Sequence, residues 1–119
     1  MGRAMREYVL PTFRMFGMTK FYKHNPSVPD DDVTPEYLAE NTFVVGSVDT
    51  VVDKLEATYD QVGGFGHLLV LGFDYRENPG PWKESLRLLA EEVMPRLNAR
   101  IAKKPGGPHK PPKPEAAIV

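Results

Sequence analysis

The chain has 119 residues, fifteen basic and sixteen acidic side chains, a net charge of −1 and no cysteine. So balanced a charge supplies no field that would draw it to nucleic acid or to a membrane surface, and disulfides, thiolate metal sites and cysteine nucleophiles are excluded. Arg3 and Arg6 are followed by polar residues and Pro11 rather than by the apolar stretch of a signal peptide or membrane span, so a soluble, cytoplasmic protein is expected.

Met5, Val9, Phe13 and Phe16 recur at helical spacing, but Pro11 removes a backbone donor, and a helix ending near Leu10 is expected. Residues 17–32 carry two prolines and the run Asp30-Asp31-Asp32, which reads as a long exposed loop. Thr34 as N-cap and Pro35 at the first helical position then predict a short helix to about Asn41.

Thr42-Phe43-Val44-Val45-Gly46 is β-branched, aromatic and apolar on both faces, the pattern of a strand buried in a parallel sheet. Ser47 can cap the next helix, with Asp49 in its first turn, where a carboxylate complements the helix dipole. Val48, Val51, Val52, Leu55, Tyr59 and Val62 form one apolar stripe that stops at Gly63-Gly64, so the helix is expected over 48–62. A second apolar run, residues 67–72, is bounded by glycine and predicts a second strand. After a polar turn, Pro81 starts a helix to residue 102 with a stripe of Trp82, Leu86, Leu89, Val93, Leu97 and Ile101, kinked at Pro95.

This order predicts an α/β fold with a βαβα arrangement, two parallel strands joined by a right-handed crossover, preceded by a helix and a long loop. Two strands with no polar face do not stand alone as a sheet, and a closed (β/α)8 barrel takes about 250 residues. The expected fold is therefore two βα units of a partial TIM barrel, with residues 1–41 preceding the first of these strands and 42–102 forming the βαβα part. Residues 103–119 contain five prolines and four lysines and are expected to be a disordered tail.

Residues 43–55, 62–71 and 82–97, in that order and spacing, resemble the end of luciferase-like, FMN-dependent monooxygenases. In that family a glycine-serine turn followed by Asp-Thr-Val opens the seventh barrel helix, as Gly46-Ser47 and Asp49-Thr50-Val51 do here. The family's eighth strand follows a glycine-rich turn, here Gly63-Gly64, and its closing helix carries the run found at Glu91-Glu92-Val93-Met94-Pro95. Arg6 to Phe13 also resembles the helix end before the family's variable, substrate-side loop. The resemblance implies reduced FMN or a related deazaflavin, O2, a small organic substrate and a flavin reductase. Most flavin contacts in the family come from earlier strands, which have no counterpart here. The chain is thus expected to be a C-terminal fragment of such an enzyme, inactive alone. The alternatives are a noncatalytic module that pairs with another chain or self-associates through its exposed strand face, and a truncated reading frame.

Two places are candidate sites. Gly46 and Ser47 lie where a strand would hand over to a helix N-terminus, whose amides and dipole can hold an anion of the cofactor, although N-capping alone also explains them and Asp49 opposes an anion. Phe73, Asp74 and Tyr75 follow the second expected strand at what would be a barrel mouth, as substrate-pocket candidates, although turn chemistry alone accounts for Asp74. His67 is expected to be structural and the three aspartates a solvated loop; no metal site is expected.

Overall fold

A computed structural model of the chain describes residue 3, residues 5–71 and residues 78–108. These residues divide into two compact units, one within Met1–Val45 and Gly72–Trp82, the other within Gly46–Leu71 and Lys83–Val119.

In the first unit, Met5–Val9 form a π-helical turn that continues into α1, Leu10–Met15. The expected stop at Leu10 is therefore corrected: the helix passes through Pro11. Proline lacks the N–H that would bond the carbonyl four residues back, and its ring crowds that carbonyl. A widened π turn just before it relieves the clash without ending the helix. Within residues 17–32, short 3-10 turns form at Thr19–Tyr22 and Asp30–Asp32. They are tied down by an ion pair between Lys23 and Asp30, and by Ser27 N–H donating to Asn25 Oδ1 at 2.9 Å. The helix α2, Pro35–Asn41, starts as its sequence dictates, with Thr34 Oγ1 accepting from Tyr37 N–H at 3.2 Å. Met5, Leu10, Val33 and Leu38 form the buried core of this unit. Aromatic contacts flank it: Phe13 stacks on Tyr22 at 4.3 Å between ring centroids, and Tyr22 meets Phe43 edge-on at 6.3 Å.

In the second unit, α3 spans Val48–Val62. Gly63 takes the left-handed conformation, φ +81°, and the amides of Gly63 and Gly64 return to the carbonyls of Asp60 and Tyr59 at 3.3 and 2.8 Å. That pair of hydrogen bonds is the arrangement for which glycine after a helix is selected. The helix α4, Pro79–Leu88, of which residues from Lys83 on belong to this unit, runs into a second π turn, Leu89–Val93, and then α5, Met94–Ala102. The Met94 amide bonds the Leu89 carbonyl, five residues back, and Pro95 follows at once. The expected kink is thus met by the device seen before Pro11. Val52, Leu55 and Tyr59 of α3 pack with Val93, Leu97 and Ile101, and Tyr59 meets Phe65 edge-on at 5.2 Å.

The α/β fold class is overturned: no β-strand occurs among the described residues, which are helical or irregular, and the βαβα part of a barrel expected over 42–102 is not formed. The two segments read as strands behave differently. At 42–45 local bonds take over, for the amides of Thr42 and Phe43 both reach the Leu38 carbonyl at the end of α2, at 3.0 and 2.6 Å, and Val45 N–H bonds Phe43 O at 3.1 Å. Residues 67–71 are irregular, and Leu68–Leu71 are exposed. An apolar run becomes a strand only when a neighbour completes its ladder.

Candidate functional site

Gly46 and Ser47 precede the first turn of α3. Gly46 has φ +148°, and a Cβ there would lie 2.7 Å from Thr50 Cγ2, so glycine is required both by backbone and by space. Ser47 Oγ accepts from Thr50 N–H at 3.2 Å and sits 3.0 Å from Thr50 Oγ1, which makes it the helix cap. Asp49 receives a hydrogen bond from Arg96 at 2.9 Å, and Arg96 also pairs with Glu92 at 2.7 Å. The negative charge that opposes an anion at this turn is therefore paired with a guanidinium. Phe73, Asp74 and Tyr75 lie outside the described residues.

Arg96 opens a ladder of ion pairs between α3 and the end of α5. Arg100 reaches Asp53 at 2.6 Å and Glu56 at 2.9 Å, and Lys104 reaches Glu56 and Asp60, both at 2.9 Å. Partner numbers rise together along both helices, so α3 and α5 run parallel. Hydrogen bonds from Arg100, then Lys104, hold the Glu56 carboxyl below its ordinary range. Bonding to Asp60, then Glu56, raises the Lys104 ammonium. This ladder was not foreseen. The sequence carries part of its signal, the four-residue spacing of Arg96, Arg100 and Lys104 and the spacings of four, three and four among Asp49, Asp53, Glu56 and Asp60, but not which of these faces which.

A depression of about 480 Å3 is lined by Tyr59, Asp60, Gly63, Lys104 and Pro105–Gly107. Its ammonium is held by two carboxylates, so it offers no open cationic anchor. His67 is exposed, and His24 Nδ1 lies 2.7 Å from the Tyr37 hydroxyl, which also accepts from the His24 amide at 3.1 Å. Among the described residues no group of three His, Asp or Glu is placed to hold a metal ion, and no helix is long and apolar enough to cross a membrane. The one buried side-chain oxygen without a partner among the described residues, Thr19 Oγ1, is in the first unit.

No family model matches the sequence. The chain is 38% identical over 96 residues to 3,6-diketocamphane 1,6-monooxygenase of Pseudomonas putida, a match covering 81% of this chain and 25% of that protein. It is 31% identical over 99 residues to 2,5-diketocamphane 1,2-monooxygenase 1 of the same organism, covering 82% and 27%. Among solved structures it superposes with TM-score 0.70 and 38% identity on a type II Baeyer-Villiger monooxygenase, the oxygenating constituent of 3,6-diketocamphane monooxygenase from the CAM plasmid of Pseudomonas putida, in complex with FMN. That match covers 79% of this chain and 26% of the other. The relatives are thus monooxygenases, and FMN is the cofactor held by the solved one. The chain belongs to their family, the luciferase-like, FMN-dependent monooxygenases, and spans about a quarter of the length of the relatives it matches.

The described residues do not by themselves fit an FMN. The Ser47 hydroxyl is engaged as a cap, Arg96 is engaged by two carboxylates, and the depression beside Lys104 is walled by proline and glycine with Tyr59 as its aromatic residue. A flavin needs donors for its phosphate and an apolar slot for its ring system.

Proposed function

We propose that this chain supplies the C-terminal part of a flavin-dependent monooxygenase that uses reduced FMN and O2 on a small organic substrate, with a separate flavin reductase, and that alone it is not active. The observation that carries the reading is the match at 38% identity and TM-score 0.70 to an FMN-bound oxygenase of which it covers 26%. Oxygenation by a reduced flavin demands a closed pocket that excludes water, and such a pocket is assembled from many loops. In this reading residues 1–41 precede the part that carries the family resemblance most closely, 42–102, and 103–119 form a tail. Gly46 and Ser47 offer backbone donors to an anion of the cofactor, and Phe73, Asp74 and Tyr75 belong to the substrate side. A cytoplasmic enzyme without nucleic-acid or membrane partners goes with this reading.

Titration of FMN with the purified chain tests the incompleteness directly. Unchanged flavin fluorescence up to high protein concentration is expected, and a micromolar dissociation constant would show that a flavin site is already whole.

A second reading, a noncatalytic module that pairs with another chain, is favoured by one observation: Leu69 and Leu71 are 83% and 68% exposed. An apolar run so open to water is a surface for association.

A further inference from the structure

We draw no further inference here: the strongest candidate, the exposed apolar run Leu68–Leu71 between α3 and α4, lies in a chain that spans about a quarter of its relatives' length, and nothing in the structure shows what covers it.

Discussion

Gly46 shows how a single position can be fixed twice over. Its φ of +148° is a region that side chains avoid, and the nearest atom to an added Cβ is Thr50 Cγ2 at 2.7 Å. Gly46→Ala should destabilise the second unit by about 1–3 kcal/mol, the range for a strained backbone position, measured as a lower urea midpoint with an unchanged slope. Ser47→Ala removes the acceptor for Thr50 N–H and should cost about 1 kcal/mol. Leu55 is 4% exposed in the α3–α5 seam, and Leu55→Ala should cost about 2–5 kcal/mol. Unchanged thermal unfolding of Leu55→Ala would mean that the stripe does not face a core. Ser47, Leu55 and the glycine stop at Gly63 were legible in the sequence, because capping, glycine geometry and the 3.6-residue stripe are local rules, whereas Gly46 was read as the end of a strand and its crowding against Thr50 was not foreseen. Nor was Arg96 beside Asp49, since nothing local tells which of several arginines reaches a carboxylate 47 residues away.

At the scale of elements, the ladder makes the α3–α5 pair sensitive to pH. Glu56 is lowered in the folded state, so its stabilisation is present above its ordinary pKa and is lost as pH falls through the folded value. Lys104 is raised, so its stabilisation is full below its ordinary pKa and is lost as pH rises through the folded value. Between the two lies a plateau. Glu56→Gln should flatten the acid limb of stability against pH while leaving the alkaline limb largely in place, as urea midpoints measured across pH will show. An acid limb identical in parent and variant would remove Glu56 from the account. Arg100, Asp53 and Asp60 lie open to water while Glu56 and Lys104 are half-buried, so the effect is modest and shrinks at high salt. The elements themselves were unevenly legible. The 48–62 helix was readable because cap, stripe and glycine stop agree within one segment. The stripe nevertheless overran its partner, for Val62, at its end, is 61% exposed and the buried seam stops at Tyr59. The strands at 42–46 and 67–72 were misread because an apolar run states a wish for burial, whereas a strand is made by a neighbour that the run cannot supply. The helix through Pro11 was cut short because proline was taken as a stop, while the chain opens the preceding turn instead.

At the scale of the whole molecule, family membership and the absence of a self-sufficient flavin site among the described residues belong together. The matched segment is only a quarter of its relative, and the residues here engage their charges with one another rather than holding them open for a ligand. The most direct test exchanges this chain for the matching segment of 3,6-diketocamphane 1,6-monooxygenase and measures FMN binding by the chimera and by the chain alone. Saturable FMN binding by the chimera is expected, with oxygenation when reductase and O2 are supplied, and none by the chain alone. A folded chimera that fails to bind FMN, or a chain that binds FMN and oxygenates by itself, would contradict the proposed function.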